Sequence, residues 1–192
     1  MAHAAKTDGR HQRSERSRRQ IVGALLKLIA RGEMNPSAAQ VAEAAGVGLR
    51  SVFRHFEEMD TLYREMTAQI EAEVMPEVMA PFVAKDWRGK LGEMVERRAR
   101  VFERIMPYRV AGAARRFQSD YLMQDHKRAV ALEQAALKAI LPKTILSDSD
   151  TLAALDLVLS FESWRRLRQD QRLSPAKAEE AMRLAVQRIA GA

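Results

Sequence analysis

The 192-residue chain contains no cysteine, which excludes disulfides and thiolate metal sites and fits a reducing, cytoplasmic setting. No apolar run is long enough to span a bilayer, so no membrane partner is expected, and no internal repeat is present. An export signal is excluded too, because the segment after Arg18 and Arg19 is interrupted by Lys27 and Arg31. Strand signals are nearly missing: β-branched residues are scattered and alternation never lasts, while Ala, Leu, Arg, Glu, Met and Gln dominate every long segment. The fold class is therefore all-α. The sequence also lacks a glycine-rich nucleotide loop, an HExxH pair and any cysteine nucleophile. Of four histidines, His3 and His11 lie in the opening stretch, and Asp125 and His126 point to different faces of one helix. No catalytic residue, metal site or cofactor is expected.

What is present divides unevenly. With 47% hydrophobic residues the chain can bury a real core and hold one small domain plus a larger one. Residues 1–56 carry 10 Lys and Arg against 4 Asp and Glu, a net of +6, while the rest carries 22 against 21. The whole-chain charge of +7 thus comes almost entirely from the first segment, as expected of a polyanion-binding unit. Much of it lies before Ile21, in a stretch without hydrophobic periodicity that reads as a basic disordered arm over residues 1–13. The arm suits DNA phosphates or the minor groove, and equally a solubility tail.

Residues 37–56, SAAQVAEAAGVGLRSVFRHF, read as a helix-turn-helix. Ser37 follows Pro36 and has Gln40 three residues on, a capping box that starts a helix ending near Ala45. Ala38, Val41, Ala42 and Ala45 form a narrow face of small residues that demands a closely packed neighbour. Gly46 permits a left-handed backbone, and Val47 plugs the corner. The second helix, from Gly48 or Leu49 to His55, turns Val52 and Phe56 inward. Leu49, Arg50, Ser51, Phe53, Arg54 and His55 are left wholly or partly outward, where they can touch bases and phosphates.

This segment, with Glu57 to Tyr63 after it, resembles the DNA-binding core of the tetracycline-repressor-like (TetR) family, whose pattern is roughly A-G-V-S-x-G-T-[LIV]-[YF]-x-[HY]-F. The match runs through Ala45, Gly46, Val47, Ser51 for Thr, Val52, Phe53, His55 and Phe56. The resemblance implies that Gly48, Leu49, Arg50, Ser51, Phe53, Arg54 and His55 approach DNA and that Ser37 contributes a phosphate contact. Arg50 is the candidate for bidentate guanine readout, while Arg54 serves a base or a phosphate. Gly48 stands for the usual Ser cap, Phe53 for the commoner Tyr, and Met59 for a phosphate-binding Lys; Glu57 and Glu58 add negative charge nearby. Losing the Lys removes one phosphate contact and its counterion release.

Helix one is expected from about Ser14 to Ala30, with Ile21, Leu25, Leu28 and Ile29 as its packed stripe, completing a three-helix DNA-binding domain over residues 14–58. A larger helical domain over residues 59–192 brings the total to about nine helices. These are Asp60–Val74, Lys90–Ile105 ended by Pro107, a short one at Tyr108–Arg115, Asp120–Leu141, Asp150–Gln169, and Pro175–Ala190 capped by Ser174. The last two are apolar on more than one side, which suggests a four-helix homodimer interface through Leu152, Leu155, Leu159, Met182, Val186 and Ile189. A dimer spaces two recognition helices about one DNA turn apart, roughly 34 Å.

The resemblance further implies a repressor that binds a palindromic operator in double-stranded DNA and is released by a small-molecule effector. Arg98, in register with Leu91, Met94, Val95 and Phe102, reads either as a clamp for an anionic effector or as half of an ion pair with Glu133 or Glu162. His126 reads as a hydrogen-bond partner for the same ligand or as a satisfied core histidine. Met66, Ile70, Phe102, Met106, Phe117, Tyr121, Phe161 and Trp164 supply either an adaptable lining or ordinary core packing. The alternative to a regulator is a non-specific DNA-binding or adaptor protein that uses the same helix-turn-helix without a ligand.

Overall fold

The computed structural model describes residues 2–191, with the backbone alone for residues 2–11 and 13. Among the described residues there are ten α-helices and no strand. The helices are α1 Ala2–Ala30, α2 Ala38–Ala45, α3 Leu49–His55, α4 Met59–Val78, α5 Trp87–Arg115, α6 Asp120–Lys138, α7 Lys143–Leu146, α8 Ser149–Val158, α9 Phe161–Arg165 and α10 Pro175–Ile189. A 3₁₀ turn, Arg116–Gln118, joins α5 to α6, and a π-helical turn, Arg166–Asp170, extends α9. No helix of the described residues is long and apolar enough to cross a membrane.

By its internal contacts the chain divides into two units. One takes the chain up to Glu71 together with Pro107–Gln124; the other takes Ala72–Met106 and the chain from Asp125 onward. The boundary expected at 58/59 therefore falls inside the first unit. The reason is that Leu62, Tyr63 and Met66 of α4, with Ala111 of α5 and Leu122 of α6, belong to the same core as Ile21, Leu25, Ile29, Val41, Val52 and Phe56. Leu28, Ala38, Ala45, Val47 and Ile70 pack partly buried against that core, so the small-residue face of α2 has the close neighbour it needs.

The second unit has its own interior, in which Leu91, Met94, Val95 and Phe102 of α5 pack with Leu137, Leu155, Leu159, Phe161, Trp164, Met182 and Val186. The rings of Phe102 and Phe161 meet edge to face at 5.6 Å.

Three elements differ from the sequence expectation. The helix expected from Ser14 begins at Ala2, so the backbone of the stretch read as a disordered arm is helical. Ala, Lys, Arg and Gln supply good helix formers there, and extending an existing helix avoids the cost of nucleation. Pro107 does not end α5 but lies inside it, and Pro76 lies inside α4. Proline removes one backbone hydrogen bond and strains one turn, a penalty of about 3 kcal/mol that is local, so the helix continues on either side where its faces are buried. The helix expected over 150–169 breaks at Leu159–Ser160 into α8 and α9, because Ser160 caps a new helix by accepting from the Ser163 N–H at 3.2 Å.

Candidate nucleic-acid interface

The helix-turn-helix forms from local chemistry. The Gln40 N–H donates to Ser37 Oγ at 3.3 Å and the Ser37 N–H donates to Gln40 Oε1 at 2.8 Å, closing the capping box at the start of α2. Gly46 ends α2 at φ +65°, a left-handed conformation that strains any residue with a Cβ. Gly48 precedes α3 in an extended conformation and offers no side-chain cap.

Within α3 the sides separate cleanly. Val52 and the following Phe56 are buried, while Leu49 is 45% and Phe53 50% exposed. Arg50 and Arg54 are exposed beside them, and Ser51 and His55 are half-buried. Leu49, Arg50, Phe53 and Arg54 follow one another at i, i+1, i+4 and i+5, so two guanidiniums and two large apolar side chains share one outward strip. A merely solvated helix face has no use for an exposed Leu and Phe, whereas base edges offer guanine acceptors to arginine and thymine methyls to apolar groups. Ser37 is exposed at the start of α2, and Glu57 and Glu58 are exposed just after α3. Met59, which stands where the resembled pattern has Lys, packs against the core instead.

Arg18 is the residue of this corner whose place the sequence did not disclose. It donates through Nε to Glu65 Oε1 at 2.7 Å and through Nη2 to the same oxygen, linking α1 to α4. Its Nη1 donates to the His55 main-chain oxygen at 3.4 Å, and its guanidinium lies 4.9 Å from the centre of the Phe56 ring. The last carbonyls of a helix lack intrahelical donors, so this cation closes the C-terminus of α3 and is favoured there by the helix dipole. The bond to Glu65 raises the Arg18 pKa. Arg18 sits in a run of arginines that all look alike; its one distinguishing signal is its i+3, i+4 and i+7 spacing to Ile21, Val22 and Leu25 on the packed stripe of α1.

His55 is pushed the other way: burial lowers its pKa first, and the neighbouring Arg54 and Arg18 charges lower it further, while Glu15 raises it. Its Nε2 is buried without a hydrogen-bond partner among the described residues. The imidazole therefore favours its neutral form.

No family model and no curated protein matches the chain. Two solved structures are similar along nearly its whole length. A transcriptional regulator from Rhodococcus sp. Rha1 superposes with a TM-score of 0.65 at 14% identity, covering 90% of this chain and 95% of its own. A protein from Mesorhizobium loti MAFF303099, described as belonging to the TetR family of transcriptional regulators, superposes with a TM-score of 0.57 at 20% identity, covering 92% of this chain and 96% of its own. The chain has the fold of these regulators.

In this TetR-like fold the residues considered for an effector are distributed between the two units. Met66, Ile70, Phe117 and Tyr121 belong to the first unit, and Arg98, Phe102, Met106, His126, Phe161 and Trp164 to the second. Met66 is part of the helix-turn-helix core, and Phe117 is 77% exposed on the turn after α5. Phe102, Phe161 and Trp164 pack into the second core, and the indole Nε1 of Trp164 donates to Glu103 Oε2 at 3.1 Å. Arg168 joins the same carboxylate from the π-helical turn, donating through Nε at 2.8 Å, and holds the Glu103 carboxyl below the usual carboxylate range.

Arg98, 7% exposed, is engaged neither as a free clamp nor through the carboxylate of Glu162. It donates through Nη1 to the Leu159 main-chain oxygen at 2.6 Å and through Nη2 to the Glu133 main-chain oxygen at 2.5 Å. Burial lowers its pKa, and the Glu133 and Asp156 carboxylates act in the opposite direction. Leu159 is where α8 ends, and the Glu133 carboxylate accepts from the Phe161 N–H at 3.3 Å where α9 begins. One buried cation and one carboxylate therefore join the hydroxyls of Ser160 and Ser163 in satisfying the backbone groups exposed by the α8–α9 break.

The residues considered for a dimer interface need a second correction. Leu155, Leu159, Met182 and Val186 are buried within a single protomer, where α8 and α10 lie against each other. They have no surface to offer a partner, while Leu152 and Ile189 are half-buried. The large apolar groups that α8 and α10 do present outward are Leu157, 66% exposed, and Leu184, 55% exposed.

Proposed function

We propose that this chain is a sequence-specific DNA-binding transcriptional regulator, a repressor that binds a palindromic operator as a homodimer. The observation that carries the reading is the outward strip of α3, where Arg50 and Arg54 alternate with Leu49 and Phe53 on a capped helix-turn-helix. Arg50 reads guanine O6 and N7, Phe53 and Leu49 meet thymine methyls, and Ser37, Gly48, Ser51, Arg54 and His55 approach the backbone or base edges. The dimer forms through the outward faces of α8 and α10 around Leu157 and Leu184, and release by a small molecule follows the pattern of the resembled family.

The test is selection from a library of random duplexes at about 0.15 M salt, a physiological ionic strength, with Arg50→Ala in parallel. A palindrome enriched by the unsubstituted protein and relaxed at one position by Arg50→Ala is the expected result, with a loss of about 1–3 kcal/mol at that base pair. Equal binding of all duplexes by both proteins sinks the specific-regulator reading and leaves a non-specific DNA-binding protein.

A further inference from the structure

We propose that the first unit carries a second, sequence-independent polyanion site, a groove between α1 and the end of α2 that takes the DNA phosphodiester backbone beside the segment read by α3. The inference rests on the DNA-binding reading above and extends it to a surface outside the helix-turn-helix motif. The groove, about 680 Å³ in volume, is lined by Arg16, Arg19, Gln20, Gly23 and Lys27 along one face of α1, with alanines of α1 and α2 between them. The spacing from 16 through 19, 20 and 23 to 27 is that of one continuous helix stripe, adjacent to but distinct from the packed stripe through Ile21, Leu25 and Ile29.

Three features point to phosphate. Arg16, Arg19 and Lys27 are exposed, and among the described residues no ion pair holds any of them; Arg19 donates only to the Glu15 main-chain oxygen at 3.4 Å. Among the described residues no carboxylate lines the groove. The third feature is Gly23, in the middle of a 29-residue helix. A Cβ built there meets no atom within 4 Å, so nothing in the fold requires glycine, and a helix interior pays for it in stability. A missing side chain over open space between cations suits the close approach of an extended chain from outside.

The occupant is a nucleic-acid backbone and not an acidic peptide, because the groove offers charge, one amide and small residues but no large apolar anchor. Protein interfaces concentrate their energy in such anchors, whereas phosphate binding needs only cations and counterion release. The groove also takes in Ala44 and Ala45, immediately before the Gly46 turn that leads into α3, so it adjoins the helix-turn-helix along the chain.

The experiment titrates the full chain against a labelled duplex bearing the selected palindrome and against a scrambled duplex, at salt concentrations from about 50 to 200 mM, the range in which phosphate contacts register. The variants are Arg16→Gln/Arg19→Gln/Lys27→Gln and, separately, Gly23→Gln. The triple variant is expected to weaken both duplexes by the same factor. It should also flatten the plot of log affinity against log salt by about 0.9 per lost contact, up to about 2.7 per subunit. Gly23→Gln, which changes no charge, is expected to raise the melting temperature by a few degrees and to weaken both duplexes several-fold. An unchanged salt slope in the triple variant, or full affinity in Gly23→Gln, overturns the proposal while leaving palindrome selection by α3 intact. Binding of polyglutamate that depends on the three cations, with no change in duplex binding, overturns it in favour of an acidic partner. If the unsubstituted protein binds neither duplex, the regulator reading itself falls.

Discussion

Both units must close helix ends, and they do so over very different distances along the chain. In the first, α2 is capped by Ser37 and Gln40, three residues apart, and ended by Gly46 directly after it. In the second, α9 keeps a local cap at Ser160, but the end of α8 at Leu159 is closed by Arg98, 61 residues away, and the start of α9 is closed further by Glu133, 28 residues away. A local cap requires only the right residue at the right offset, whereas a distant cap exists only once three helices have packed. The first kind fixes where the helix starts and stops from its own short sequence, while packing against the core supplies its stability; the second ties the stability of α8 and α9 to the assembly of their whole unit.

The largest effect should separate these two modes of closure. Arg98→Ala strands the buried carbonyl of Leu159 and removes a second, charge-assisted bond to the Glu133 carbonyl, which keeps its place inside α6, so a loss of about 2–3 kcal/mol is expected in urea unfolding. Ser37→Ala, which removes a solvent-exposed cap, should cost about 1 kcal/mol. If Arg98→Ala unfolds no more easily than Ser37→Ala, the long-range closure of α8 is unimportant and Arg98 is free for a ligand after all.

The same distinction decides what was legible in the residues alone. The capping box, the αL glycine and the inward Val52 and Phe56 depend on spacings of a few residues, and each stands where its spacing puts it. The break at Ser160 was hidden, because serine is unremarkable in a helix until a carboxylate and a guanidinium from elsewhere satisfy the opened backbone. The buried faces of α8 and α10 were hidden for a related reason. Both helices are apolar on two sides, and periodicity states how many sides are apolar without stating which one meets the rest of the protomer. Leu155 and Leu157 look alike in sequence; one is fully buried and the other mostly exposed.

Arg18 blurs the comparison in a useful way, since it is a long-range closure inside the locally encoded unit, reaching His55 from 37 residues away. It tests whether α3 stands by local chemistry alone. Both side chains of the Arg18–Glu65 pair are about a third exposed, so solvent screens it and the coupling in a double-mutant cycle should be on the order of 0.5–1 kcal/mol. Arg18→Ala additionally loses the contact over Phe56, for a total near 1 kcal/mol. The sharper readout is hydrogen exchange at the Phe56 amide, which donates to Val52 in the last turn of α3. Faster exchange there in Arg18→Ala, with protection of α2 unchanged, shows that the recognition helix needs its distant brace. Equal protection shows that its own sequence suffices.

The smallest expected effect comes from His55 in the same corner. Burial, Arg54 and Arg18 hold its folded pKa below the ordinary histidine value, so the unfolded chain takes up a proton at a higher pH than the folded one does. Where the unfolded state binds more protons, stability rises with pH. The His55 contribution is therefore complete above the unfolded value of about 6.5 and declines as pH falls through it toward the lower folded value. His55→Gln removes this titration while keeping a polar side chain of similar length. The stability difference between the unsubstituted protein and His55→Gln, followed by urea unfolding from pH 7.5 to 5, should move against the unsubstituted protein as acid is added. Parallel curves would mean that the corner under Arg18 opens to water readily enough to charge the ring. In that case the end of α3 is held less firmly than its capped neighbour α2, and the local part of the motif alone presents Arg50 and Phe53.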